Sequence, residues 1–210
     1  MKDLCWCVSK CDQADMDFVG KAVEWILDRP DLEEESDETV SMLAYGVGTA
    51  LKGTRRYLVA DRCGVPEAVG RLCDAKGDGA EGRDLGNLVY AAAYAGVRNV
   101  GIERRALSWS SSIPPSSDSN VVHNVLWGLA TLGLQIPAEA ATYLAREGAG
   151  GMKGEEAASV LWSLCVAGRF DQEAFEEVRA GREERVASPQ MIFTLVTFSQ
   201  PSQLSSLFIA

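Results

Sequence analysis

The sequence predicts an all-α protein, namely an α-solenoid of about six degenerate two-helix repeats, or helical hairpins, in a single domain over residues 1–210. Three observations predict this fold. A ten-residue segment with an aromatic fourth position recurs along the chain, an amphipathic segment follows each copy, and no β-branched run shows the alternation of a strand. Because a lone hairpin leaves one apolar face uncovered, stacking the hairpins in chain order would bury a continuous core.

Three copies of the segment align without a gap: residues 87–96 (NLVYAAAYAG), 124–133 (NVLWGLATLG) and 159–168 (SVLWSLCVAG). Each closes on glycine, which suits the left-handed residue after a helix. Weaker copies occupy residues 3–12, 41–50 and 190–199. The fourth position of the six copies holds Trp6, Ala44, Tyr90, Trp127, Trp162 and Phe193. We expect the aromatic ones (Trp6, Tyr90, Trp127, Trp162 and Phe193) to form the core between repeats, with stacking on bases as the alternative.

The second helices are predicted over residues 18–27, 66–73, 102–109, 137–146, 173–182 and 203–210. Pro66 and Pro137 stand where a helix's first turn accepts proline. Polar or glycine-rich joints cover residues 29–37, 76–83, 110–119, 148–154 and 182–188. The approximate repeat units are therefore residues 1–37, 38–83, 84–119, 120–154, 155–187 and 188–210.

The pattern N-x-[LV]-[WY]-x-[LA]-A-x-[LA]-G, followed by a helix that proline often opens, resembles the octotricopeptide repeat. It is also similar to the helical repeats of RAP-domain and FAST-kinase-like organellar proteins, most strongly over residues 84–178. The resemblance implies an α-solenoid of mitochondria or chloroplasts, whose members commonly bind RNA in its processing, stability or translation. Other such chains are fixed components of organellar ribosomes and other large complexes.

The composition sets limits on the partners. Apolar residues make up 47% of the chain, ample for a core, and the net charge of −10 argues against a general polyanion binder. Residues 12–38 hold eleven acidic residues against Lys21 and Arg29. We find no membrane span and no targeting leader, so we expect a soluble or complex-bound chain. If it works in an organelle, the chain is processed or partial; the cytoplasm is the fallback location.

We expect no enzyme, no catalytic residue, no cofactor and no metal site. His123 is the one histidine, and no GxSxG, Walker, GxGxxG or HExxH string accompanies it. In the C-x-C-x3-C run, Cys5 and Cys7 would point about 200° apart on a helix, so only Cys7 and Cys11 would share a face. The six cysteines fall mostly on apolar helical stretches, which indicates a reducing compartment.

Two groups of residues are candidates for RNA contact. Basic side chains that could meet phosphates are Lys52, Arg55, Arg56, Arg104 and Arg105. The first position of every repeat is polar, and its Asn87 and Asn124 could read bases. The alternative, which we favour, is that these first-position residues cap helices or hydrogen-bond to the neighbouring unit.

Candidates for protein interfaces lie at the C-terminal end and in the joint over residues 29–37, which we call the acidic joint. The end carries an uncharged apolar stretch with Leu204, Leu207, Phe208 and Ile209, which predicts a continuation of the chain or a partner that covers it. In the joint, Glu33, Glu34 and Glu35 form a solvated turn or dock a basic partner. We therefore expect a non-catalytic scaffold or structural subunit of a large organellar assembly that holds protein, including ribonucleoprotein, partners. The alternative is an organellar RNA-binding protein that contacts single-stranded or ribosomal RNA.

Overall fold

A computed structural model of the chain describes residues 16–50, 64–147, 152 and 154–169, and these residues form helices and no strand. The helices are α1 (Met16–Asp28), α2 (Asp37–Thr49), α3 (Val65–Lys76), α4 (Gly82–Ala95), α5 (Val100–Ser110), α6 (Ser119–Thr131), α7 (Ala138–Glu147) and α8 (Gly154–Val166), with a short 3-10 helix at Leu32–Glu34. The all-α prediction is therefore confirmed for this part of the chain. None of the described helices is long and apolar enough to cross a bilayer.

The predicted repeat segments coincide with these helices in alternation. The first segments of four units fall in α2, α4, α6 and α8, and the second segments fall in α1, α3, α5 and α7. Each first helix begins before its predicted segment. In α2 and α6, a polar residue upstream of the segment caps the start of the helix. The Ser36 hydroxyl accepts a hydrogen bond from the Thr39 backbone N–H at 3.1 Å, and Asp118 does the same for Asn120 at 2.9 Å. The helices predicted over residues 3–12, 173–182, 190–199 and 203–210 lie outside the described residues.

Prolines stand at the start of two second helices. Pro66 lies in the first turn of α3, as predicted. Pro137 immediately precedes α7, whose first residue is Ala138.

The three strong copies end in the same backbone turn. Gly96, Gly133 and Gly168 have φ angles of 66°, 70° and 66°, in the left-handed region that glycine enters without strain. After Gly96, the Val97 N–H donates to the Ala92 carbonyl at 2.9 Å, and the glycine N–H itself donates to Ala93. The same two hydrogen bonds recur after Gly133 and Gly168. This pair of bonds is the Schellman motif, so the predicted glycine ends are confirmed in geometry as well as in position.

The first helices pack against one another in chain order. Helix α2 contacts α4, α4 contacts α6, and α6 contacts α8, and these pairs include the most extensive helix contacts of the described chain. We call α2, α4, α6 and α8 the first-helix row. Helices α1, α3 and α5 also contact one another in order, and α3 and α5 pack against the first-helix row. Fully buried leucines between the helices, such as Leu72, Leu85 and Leu126, form a continuous apolar core.

Glycines allow the first-helix row to pack closely. A Cβ atom built on Gly48 of α2 would lie 2.9 Å from the Cα and Cβ atoms of Ala91 in α4. A Cβ atom on Gly128 of α6 would lie 2.5 Å from Val89 Cγ1 of α4. Both distances are shorter than any ordinary carbon contact, so at these crossings glycine sets the distance between neighbouring helices.

One arginine of α3 forms hydrogen bonds to the C-terminal end of α1. The Arg71 guanidinium of α3 donates to the carbonyls of Ile26 and Leu27, in the last turn of α1, and of Arg29 just beyond it. These carbonyls lie in the last turn of α1 or just after it, where a helix lacks backbone donors, so the side chain supplies hydrogen bonds to its C-terminus.

Candidate functional site

The first-helix row carries a groove of about 790 Å³ on one face. Helices α2, α4, α6 and α8 all contribute to its lining. We call it the aromatic groove and define it by five rings and four carboxylates. The rings and carboxylates are Tyr45, Tyr90, Tyr94, His123, Trp127, Glu38, Asp84, Asp118 and Glu156.

Tyr90 lies at the centre of the ring cluster. Its ring stacks on Tyr45 of α2 with centroids 5.8 Å apart and is tilted against Trp127 of α6 at 4.7 Å. The edges of Tyr94 and His123 approach it at 5.0 Å and 5.7 Å. Tyr94 also lies 4.8 Å from Trp127. These distances are typical of attractive aromatic pairs, so the cluster joins three neighbouring helices of the row.

Burial differs between the centre and the rim of the cluster. Tyr90 is only 6% exposed, whereas Tyr45, Tyr94, His123 and Trp127 are half-buried and line the groove. Burial raises the pKa of the Tyr90 hydroxyl far above its ordinary value, and the adjacent Tyr94 hydroxyl adds to the effect. Tyr90 is thus a neutral support, and the surrounding rings are the ones that a ligand could touch.

Acidic side chains rim the aromatic groove. Glu38 and Asp118 are exposed, Asp84 is half-buried, and Glu156 is only 7% exposed. Arg83 is the single basic side chain among the groove-lining residues that the structure describes. The lining therefore combines aromatic faces with a marked excess of negative charge.

Hydrogen bonds between neighbouring helices fix this face. The Ser41 hydroxyl of α2 donates to Asp84 Oδ1 of α4 at 2.6 Å, and the Ser119 hydroxyl of α6 donates to Glu156 Oε2 of α8 at 3.1 Å. His123 Nε2 lies 3.1 Å from the Ser159 hydroxyl, across the same pair of helices. Ser41 and Ser159 hold the first position of the predicted repeats, and each forms a hydrogen bond to the neighbouring helix of the row.

The predicted asparagines also lie in the groove. Asn87 of α4 is 7% exposed and Asn124 of α6 is half-buried, and both line the groove beside the rings. The structure thus brings Asn87, Asn124, Tyr90 and Trp127 to one surface. Trp162 of α8 is half-buried and packs against the main core.

Two of the basic candidates lie outside the aromatic groove. Arg104 and Arg105 belong to α5, outside the first-helix row, and each is paired with an acidic residue of the joint between α3 and α4. Arg104 Nη2 lies 2.6 Å from Asp78 Oδ1, and Arg105 Nη2 pairs with Glu81. Lys52, Arg55 and Arg56 lie outside the described residues.

The acidic joint is partly neutralised. Arg29 forms ion pairs with Asp31 at 2.9 Å and with Glu35 at 2.7 Å, and its guanidinium lowers the pKa of Asp31. Glu33 and Glu34 form an exposed turn of 3-10 helix. The remaining candidates Leu204, Leu207, Phe208, Ile209, Trp6 and Phe193 lie outside the described residues.

Two cysteines can be described, and both are free thiols. Cys73 is buried in α3, where burial raises the pKa of its thiol to about 12, whereas Cys165 of α8 is exposed. Within the described ranges, no group of three histidine, cysteine or carboxylate side chains is arranged to hold a metal ion.

Sequence reasoning missed the rings of Tyr45, Tyr94 and His123 as members of this site, and it missed the acidic rim. A signal was present, because Tyr94 follows Tyr90 by four residues and His123 precedes Trp127 by four, which places each pair on one helix face. The rim could not be found in this way, since its carboxylates come from four separate helices and loops.

Comparison with known proteins does not assign the chain to a family. No protein-family model matches the chain, and no curated protein has significant similarity to it.

Proposed function

We propose that this protein is a non-catalytic helical-repeat scaffold, an α-solenoid that holds a protein partner on the aromatic groove within a larger organellar assembly. The observation that carries the proposal is the first-helix row, in which four helices that contain the predicted repeat segment pack in order and line one groove. A continuous face built from successive units is how helical-repeat proteins present extended binding surfaces.

The character of the groove supports a protein partner. Half-buried tyrosine and tryptophan rings supply large contact areas at low cost in conformational entropy, and such residues are enriched at the energetic centres of protein interfaces. The rings are held by their mutual contacts and by hydrogen bonds between helices, so little ordering is needed when a partner binds.

The sequence motif supports the organellar part of the proposal. Its resemblance to octotricopeptide-type repeats points to a mitochondrion or chloroplast, and the weaker copies over residues 3–12 and 190–199 point to repeat units beyond the described ones. Subcellular fractionation of cells in which the native protein carries a tag tests the location. Recovery in the cytosolic fraction alone would refute it.

The experiment for the scaffold function compares two tryptophan-to-alanine variants in the native complex. Trp127→Ala removes a groove ring, and Trp25→Ala removes a half-buried ring from α1, outside the groove. We expect Trp127→Ala to release the chain from its high-mass complex while Trp25→Ala leaves it in place. Circular dichroism must first show that both variants are folded. Equal retention of the two variants would contradict the proposal.

RNA binding is the second candidate, and one observation favours it. Asn87 and Asn124 lie beside the rings of the groove, an arrangement in which bases could stack while amides read their edges. The acidic rim opposes it, because phosphates dominate the affinity of proteins for nucleic acid. Nuclease treatment of the native complex separates the two: a protein scaffold keeps its partners after digestion, and an RNA binder loses them.

A further inference from the structure

We infer that the aromatic groove binds a cationic, arginine-bearing peptide segment of the partner, with a guanidinium group lying against Trp127 and Tyr94. This inference rests on the proposed scaffold function and names the chemistry of what the scaffold holds.

The charge of the lining is the first argument. The described lining residues include four carboxylates, Glu38, Asp84, Asp118 and Glu156, and one basic side chain, Arg83. The chain as a whole also carries a net charge of −10. A cationic segment would be drawn to the groove and held by it, and an anionic one would be repelled.

The rings are the second argument. Trp127 and Tyr94 lie 4.8 Å apart, and a planar cation over either ring face is attracted by its quadrupole. The chain already contains such a contact outside the groove, since the Arg29 guanidinium lies 4.7 Å from the centre of the Trp25 ring. Arginine suits the site better than lysine, because its flat guanidinium stacks on rings while its N–H groups remain available to carboxylates.

The extent of the row sets the length of the segment. Neighbouring packed helices lie about 8–10 Å apart, so four helices in a row span roughly 24–30 Å. An extended peptide covers about 3.3 Å per residue, so roughly seven to nine residues would cross the row. A decapeptide is therefore a suitable probe.

The binding test uses the full-length protein and a labelled decapeptide of alternating arginine and glycine, measured by fluorescence anisotropy at low salt. The control ligand is the same peptide with citrulline in place of arginine, which keeps the shape of the side chain and removes its charge. We expect the arginine peptide to bind at least tenfold more tightly than the citrulline peptide, and added salt to weaken it. Equal binding of the two peptides, or no binding of either, would overturn the inference.

Two variants with matched controls locate the binding. Trp127→Ala should weaken the arginine peptide by about fivefold, and Trp25→Ala should leave its affinity within about twofold. The double variant Glu38→Gln with Asp118→Asn removes two rim charges, and asparagine still caps α6. It should also weaken binding by about fivefold, whereas Glu33→Gln with Glu34→Gln, which removes two exposed charges of the acidic joint, should not. Equal losses in the variants and their controls would show nonspecific attraction and refute the site.

A single-stranded oligouridine is the competing ligand. We expect it not to displace the arginine peptide; displacement that disappears in Trp127→Ala would assign the groove to RNA instead. The outcomes also separate this inference from the scaffold function. If Trp127→Ala releases the native complex but the arginine peptide does not bind, the scaffold function holds and the cationic occupant is wrong. If the native complex is unaffected, the scaffold function itself falls.

Discussion

The close crossing of α2 and α4 gives a sharp test of how the first-helix row is built. Replacing Gly48 with alanine adds one methyl group, which would stand 2.9 Å from both Cα and Cβ of Ala91 and 3.1 Å from its carbonyl oxygen. Ordinary contact begins near 3.4 Å, so the two helices must separate by about 0.5 Å. Overpacking of this kind costs about 1–3 kcal/mol. The alanine regains about 1 kcal/mol of helix propensity, which leaves a net loss of about 0–2 kcal/mol.

Gly20 of α1 provides the matched control. It is also a helical glycine, but a Cβ atom there would meet nothing within 4 Å. Gly20→Ala should therefore stabilise the protein by about 0.5–1 kcal/mol. Because both variants gain the same propensity, the difference between them isolates the cost of the helix crossing, about 1–3 kcal/mol.

The assay is urea denaturation followed by far-ultraviolet circular dichroism, with the free energies of unfolding compared at equal denaturant slopes. We expect Gly48→Ala to unfold at lower urea than wild type and Gly20→Ala at higher urea. If the two variants are equally stable, α2 and α4 do not cross at Gly48, and the reasoning on the row fails.

Three further predictions follow from single residues. Leu126→Ala, at a fully buried side chain of α6, should lower the free energy of unfolding by about 2–5 kcal/mol in the same assay. Gly133→Ala should cost about 1 kcal/mol through backbone strain alone, because its φ is 70° and its surroundings are open; no loss would contradict the left-handed turn. Cys73 has a folded pKa of about 12, above the ordinary thiol value of 9.0, so its stabilising contribution is complete below pH 9 and is lost as the pH rises towards 12. Cys73→Ala should therefore flatten the alkaline fall of the unfolding free energy between these pH values, and an unchanged slope would refute the assignment.

The helices could be predicted because their signals are local. An aromatic residue in an apolar ten-residue segment, with a closing glycine, is enough to place the end of α4, α6 or α8, since the Schellman turn needs only its own residues. The predicted helix starts were less accurate than the ends. The residues upstream of each segment do not recur from copy to copy, and α4 begins at Gly82 without a side-chain cap.

The site was harder to predict than the helices, because it depends on the distance and rotation between helices. Asn87, Asn124, Tyr90 and Trp127 were identified from their repeat positions, with the core expected for the rings, but a repeat position does not say how much of a side chain the neighbouring helix covers. Tyr90 is 6% exposed and Trp127 half-buried, a difference set by which neighbour covers each ring. No periodicity within one helix contains that information.

The helix crossings and the aromatic groove depend on each other. Gly128 brings α6 against Val89 of α4, and Tyr90, the next residue along α4, meets Trp127, the residue before Gly128, at 4.7 Å. Each close crossing is thus adjacent in sequence to a ring of the groove. A substitution that increases the distance between the helices at the crossing therefore also separates the rings. Since attraction between a cation and an aromatic face falls off beyond about 6 Å, separating the rings would take a bound guanidinium group away from at least one of them. The small residues of the row therefore serve the binding surface as well as the core, and for this reason stability and partner affinity should change together along this face.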